Sequence, residues 1–130
     1  MKKKGSVFPF ASKRKTELYN AVKSVLTSEV CNSMEEVFKK AVRRPCSRYW
    51  VTDERAAIAL SEMDRGCFKC SCRIKRRMYR HLYISFCKLR KKSPNLSFAM
   101  LAHIAVNAPA PEFFISPARA RFILRKEFKY

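Results

Sequence analysis

Residues 41–60, AVRRPCSRYWVTDERAAIAL, return 64 positions later as residues 105–124, AVNAPAPEFFISPARARFIL, without a gap. Ala41/Ala105, Val42/Val106, Pro45/Pro109, Arg55/Arg119, Ala56/Ala120 and Leu60/Leu124 are identical. Tyr49/Phe113, Trp50/Phe114, Val51/Ile115 and Thr52/Ser116 differ only conservatively. The same register carries Leu18–Tyr19 onto Leu82–Tyr83 and Ser33 onto Ser97. A fixed offset of this kind is the mark of an internal duplication, and it is read before any single element.

Each copy reads as helix, helix, short strand, helix. In the first, Leu18, Val22, Val25, Leu26 and Val30 recur at helical spacing over about residues 12–30. Ser33 with Glu36 is a capping box opening a second helix through Met34, Val37, Phe38, Ala41 and Val42, which Pro45 stops. Tyr49-Trp50-Val51 is aromatic and β-branched, so a strand is expected. Thr52 then caps a third helix with Asp53 and Glu54 in its first turn, where the macrodipole favours acids. In the second copy, Ile74, Met78, Leu82, Phe86 and Leu89 line a helix over about residues 74–91. Ser97 opens the next, Phe113-Phe114-Ile115 is the second strand, and Ser116-Pro117 starts the last helix.

A lone short strand leaves its backbone groups unpaired, whereas two copies supply two strands that can pair antiparallel. The expected fold is therefore mainly α: two tandem helix-helix-strand-helix repeats in one pseudo-twofold domain, with the strands as a small antiparallel ribbon. Residues 1–11 form a basic N-terminal arm. Residues 12–130 form a single domain of repeat one (12–66) and repeat two (74–130), joined by a basic connector (65–73).

The chain has 130 residues, 48% of them hydrophobic, enough to bury one core. Its net charge is +19, and self-repulsion on that scale points to an anionic partner. Two blocks without any acid carry most of the excess. One is residues 1–16, with Lys2, Lys3, Lys4, Lys13, Arg14 and Lys15, and the other is residues 65–92. Around the second block's helix, Arg73, Arg77, Arg80, Lys88 and Lys91 gather opposite Ile74, Met78, Leu82 and Leu89. An apolar side matching the core stripe of the other copy suits phosphate binding better than a membrane surface. Lys13 aligns with Arg77, which makes the two blocks equivalent in register.

Arg55 and Arg119 hold matching places in the first turn of a helix, where an arginine opposes the macrodipole. Two roles stand open: a phosphate clamp beside Thr52 or Ser116, or an internal ion pair or carbonyl contact across the pseudo-twofold, with the stem packed on Trp50 or Phe114. The run from Arg48 to about Lys92 resembles ribbon-helix-helix DNA-binding proteins in element order. That resemblance implies outward strand residues, here Arg48, Trp50 and Thr52, at the major groove. The wording P-x-x-R-Y-W-V-T-x-x-R-A from Pro45 to Ala56 also resembles small basic tandem-repeat proteins of gut anaerobic bacteria and their mobile elements. It implies a bacterial, phage or mobile-element setting.

Cys67, Cys70 and Cys72 have half the spacing of a zinc site, with His81 or Cys87 as possible completion. No second ligand pair follows, so the reading is free thiols made reactive by nearby cations, and no metal. Only His81 and His103 are histidines, and the carboxylates form no catalytic cluster, so no enzyme and no cofactor are expected. No apolar run is long enough to span a membrane and no signal peptide is evident. The expected protein is cytoplasmic, binds nucleic acid without catalysis, with DNA ahead of RNA, and can form a homodimer. Its nucleic-acid contacts are Lys13, Arg14, Lys15, Arg48, Arg55, Arg73, Arg76, Arg77, Arg80, Lys88, Lys91 and Arg119. The alternative is a structural or interaction protein docking on an acidic partner or larger assembly.

Overall fold

The computed structural model describes residues 10–128 and is built from helices: α1 (Ala11–Ser28), α2 (Met34–Ala41), α3 (Asp53–Asp64), α4 (Arg73–Lys92), α5 (Phe98–Val106) and α6 (Pro117–Ile123). Of the N-terminal arm expected over residues 1–11, residues 1–9 lie outside the described residues.

Four helices start on a hydroxyl cap. The side chains of Ser33, Thr52, Ser97 and Ser116 accept from the N–H of Glu36, Arg55, Met100 and Arg119, each satisfying a first-turn donor that the helix leaves open. Glu36 reaches back one residue further than a capping box requires, accepting from the Asn32 N–H at 3.2 Å. The starts keep the sequence register: α2 and α5 begin at Met34 and Phe98, α3 and α6 at Asp53 and Pro117.

The chain divides into two compact units, with boundaries after Arg44 and after Phe114. The first holds α1, α2 and α6. Leu18, Val22 and Val25 of α1, Val37, Phe38 and Ala41 of α2, and Ala120 and Leu124 are its buried apolar residues. Phe128 adds a ring 5.3 Å from Tyr19 and 6.5 Å, edge-on, from Phe38. Leu26 and Val30, expected on the buried stripe of α1, are 44% and 91% exposed. The helix stops at Ser28, so Val30 lies beyond it.

The second unit, Pro45–Phe114, packs α3, α4 and α5 against one another. Leu60, Leu82, Phe86, Leu101, Ala105 and Val106 are buried there together with Tyr49 and Phe113. In both units the third helix comes from the other half of the sequence: α3 joins α4 and α5, and α6 joins α1 and α2.

The expected ribbon is corrected. Among the described residues there is no strand, so neither the two-stranded ribbon nor the ribbon-helix-helix order exists. One isolated antiparallel bridge joins Cys46 to Ala110, residues that are equivalent in the repeat register, through N–H···O bonds of 3.0 and 2.9 Å. Beyond it the backbone groups find other partners. Buried Arg48 donates through Nε to the Tyr49 carbonyl and through Nη2 to the Val51 carbonyl, both at 2.9 Å. Those carbonyls are therefore taken by a guanidinium and not by a ladder. In the second copy Phe114 has φ 55°, a left-handed backbone that interrupts an extended run. The aromatic residues serve as core plugs instead: Tyr49 stacks on Phe114 with centroids 6.0 Å apart, and Trp50 on Phe113 at 6.4 Å.

Candidate nucleic-acid interface

Helix α4 contains nine basic side chains and no acid in 20 residues. Met78, Tyr79, Leu82 and Phe86 are its buried residues and anchor it in the second unit. At 3.6 residues per turn, Arg73, Arg77, Arg80, Ile84, Lys88 and Lys91 fall within an arc of about 80° on the opposite side. All six are exposed. The five cations among them run for about 27 Å along the axis at 1.5 Å per residue.

Acids neutralise two cations of this helix. Arg77 pairs with Glu112 at 2.6 Å, and its guanidinium lies 5.6 Å from the centroid of the Phe114 ring. Arg90, on the flank, holds Asp64 through Nη1 at 2.7 Å and Nη2 at 3.0 Å, and its guanidinium lies 4.8 Å from the Phe86 ring centroid. Tyr83 donates to the same carboxylate at 2.7 Å. The Arg90 and Tyr83 bonds hold the Asp64 carboxyl below its ordinary range, and Asp64 in turn pushes the Tyr83 hydroxyl up to about 12. Arg73, Arg80, Lys88 and Lys91 make no ion pair among the described residues, so their charge is left for solvent or a partner.

The other expected contact residues are placed differently. Arg48 is 8% exposed, and besides its two carbonyls it donates to Asn107 Oδ1 at 3.1 Å. It is a staple inside the second unit and does not reach an outer surface. Arg76 donates to the Cys70 carbonyl at 3.1 Å and so fixes the loop before α4. In the first unit, Lys13 is exposed and Lys15 pairs with Glu127 at 3.1 Å. Arg14 is half-buried; burial first, and then the nearby charge of Arg119, lowers its pKa. Arg119 is exposed, its guanidinium 5.3 Å from the Phe122 ring centroid, and Arg55 is exposed at the start of α3. Neither arginine makes an ion pair among the described residues.

All six cysteines are free, and among the described residues no three His, Cys, Asp or Glu side chains gather closely enough to hold a metal ion. His81 Nδ1 sits 2.7 Å from the Tyr49 hydroxyl, which occupies it within the second unit. His103 lies 2.6 Å from Asp53 and links α5 to the first turn of α3. Among the described residues no helix is long and apolar enough to cross a membrane. Compared with protein-family models, curated proteins and solved structures, the chain matches none of them.

The five expected cations of α4 lie on one exposed side, and two flanking features have no signal within the helix. Arg90 and Asp64 are 26 residues apart, and no periodicity within one helix reveals such a pair. Lys69 and Lys75 turn toward a cleft beside α3, away from the outward face. The absence of Lys75 from the helix's cationic arc is the only trace of this in the sequence, and Lys69 lies in the loop before the helix.

Proposed function

We propose that this protein binds nucleic acid without catalysis, as a regulatory or architectural protein, and that the outward face of α4 is the contact. The observation that carries this reading is the single cationic arc of Arg73, Arg77, Arg80, Lys88 and Lys91 on a helix whose other side is locked into the core. An α-helix of this width fits the major groove of B-DNA, which is about 12 Å across. Cations spread over about 27 Å of helix can meet phosphates on both rims of that groove. The apolar side of α4 is buried in protein and is not free to enter lipid, which removes the main competing use of a basic amphipathic helix. Duplex DNA is the first ligand to test, and RNA the second.

The test is the salt dependence of binding, measured by fluorescence anisotropy on duplex DNA and on RNA. Each phosphate contact steepens the log–log slope by about 0.9 on B-DNA. Arg80→Ala, Lys88→Ala and Lys91→Ala combined should flatten the slope by about 2.7, the share of three contacts. A slope near zero on both nucleic acids, with tight capture of an acidic protein instead, would replace this reading with docking on an acidic partner.

A further inference from the structure

Beside α3, away from the outward face of α4, the second unit has an open cleft of about 450 Å³. Arg55, Lys69 and Lys75 line it against one carboxylate, Glu62. None of the three cations makes an ion pair among the described residues. Three like charges lining one concavity, with a single carboxylate among them, favour an anionic occupant. The wall also holds two rings, Phe68 and Tyr79, packed edge to face with centroids 5.5 Å apart. Cys70, Ser71 and Cys72 complete it.

The wall is held in place from both ends. Gly66, at φ 72°, closes α3: its N–H bonds the Met63 carbonyl at 3.2 Å and that of Cys67 bonds the Glu62 carbonyl at 2.9 Å. This is the paired bonding of a Schellman ending, which fixes the direction in which the chain leaves. Arg76 holds the loop from the other side through the Cys70 carbonyl. The loop thus turns into α4 with a set geometry. No acid lies in the first turn of that helix, so its N-terminal end adds positive potential beside the three cations. The Cys72 thiol faces this end: the N–H of Lys75 first, then that of Ile74 and the nearby charges, hold it below its ordinary range.

We propose that this cleft is a binding site for a nucleotide, with its phosphate among Arg55, Lys69 and Lys75 and its base against Phe68, which buried Tyr79 backs. A bare phosphate would leave most of the space unfilled, whereas the volume falls within the roughly 300–1,000 Å³ typical of small-molecule sites. Phe68 supplies the apolar contact that a base requires, and aromatic walls hold bases by stacking. Glu62 is the one acceptor carboxylate, suited to the exocyclic amino group of adenine or cytosine. The nucleotide can be free or can be the 5′-phosphorylated end of a strand. Lys75 and Tyr79 point to the side of α4 opposite Arg80, Lys88 and Lys91, so this site stands or falls apart from the outward face.

Cys72 reports on occupancy because it lines the cleft, whereas Cys67 is exposed outside the lining. The full chain is labelled with N-ethylmaleimide, a neutral reagent, and the rates at Cys72 and Cys67 are read by peptide mass spectrometry. AMP at about ten times its Kd should slow Cys72 about tenfold, following 1 + [L]/Kd, and leave Cys67 unchanged. Adenosine and inorganic phosphate should each protect far less. Protection by AMP assigns a free nucleotide, and protection only by a 5′-phosphorylated oligonucleotide, not its 5′-hydroxyl form, assigns a strand end. Arg55→Ala with Lys69→Ala, both at exposed positions, should abolish the protection with the helical circular dichroism retained. The Arg80, Lys88 and Lys91 triple variant should keep it, whatever happens to duplex binding. The proposal is overturned if neither AMP nor the phosphorylated strand slows Cys72. It is overturned equally if adenosine protects as well as AMP, or if the Arg55/Lys69 variant stays fully protected.

Discussion

Helices α1 and α4 occupy the same place in the 64-residue register, yet only their inner sides agree. Leu18 matches Leu82, Val22 matches Phe86 and Val25 matches Leu89, and all but Leu89 are buried. Outward, Thr16, Ser24 and Thr27 of α1 stand where α4 has Arg80, Lys88 and Lys91. The hydroxyls of Thr16 and Thr27 bond back to carbonyls of their own helix, and Ser24 accepts from Arg44. Of the cations expected on α1, Lys15 is paired and Arg14 is half-buried. Over the described residues, α1 therefore does not repeat the cationic arc of α4. A duplicated scaffold is held to its packing positions by the core, while each outward face is free to differ, and here only α4 carries a cationic face.

The largest test of that comparison lies in the core. Phe86→Ala should destabilise the second unit by about 3–5 kcal/mol, read from chemical denaturation. Val22→Ala at the matching position of α1 removes less volume and should cost visibly less. Equal losses would mean that the two inner faces are not packed as described.

Position 48 sharpens the comparison next. Arg48→Met removes charged donors from the carbonyls of Tyr49 and Val51, and a hydrogen bond to a charged group contributes about 1.5–3 kcal/mol. The matching residue is Glu112, whose pair with Arg77 has exposed Arg77 as one partner, so Glu112→Gln should cost less. If Arg48→Met leaves the melting temperature unchanged but weakens DNA binding, then the arginine is a contact and not a staple.

For binding, the Arg80, Lys88 and Lys91 alanine triple should lower duplex affinity by about tenfold or more at low salt. Substituting Lys13, the exposed α1 cation matching Arg77, should change affinity far less. Similar losses from both helices would restore two equivalent surfaces.

The smallest effect is pH-linked. Arg90 and Tyr83 depress the Asp64 pKa, so the stability they contribute is present above the ordinary carboxylate pKa. It is lost as pH falls through the depressed value in the folded protein. Asp64→Asn should cost about 0.5–1 kcal/mol near neutral pH, the scale of an exposed pair, and nothing once the carboxylate is protonated. A loss that persists at acid pH would mean that the aspartate acts through packing.

Local chemistry explains what could be read in advance. A hydroxyl cap works over three residues and an apolar stripe over three or four, so Ser33, Thr52, Ser97 and Ser116 announce their helices and α4 shows its cationic arc directly. The aromatic runs at 49–51 and 113–115 misled because β-propensity reports a side chain that fits a half-buried surface, and a core plug on a bend meets the same description. Nothing near Tyr49 in the chain reveals that its carbonyl is claimed by Arg48, because a strand and a stapled bend share one local pattern.

The 64-residue period, the helix starts and the acid-free blocks belong to the sequence alone, since each depends on residues a few positions apart or on simple counting. Which helices share a core is a tertiary outcome: α3 sits with α4 and α5, and α6 with α1 and α2, through contacts between residues far apart in the chain. So too is the choice of which cations Glu112, Asp64 and Glu127 neutralise and which line a cleft. Coulomb energy and burial depend on distance through space, and only the folded chain sets that distance.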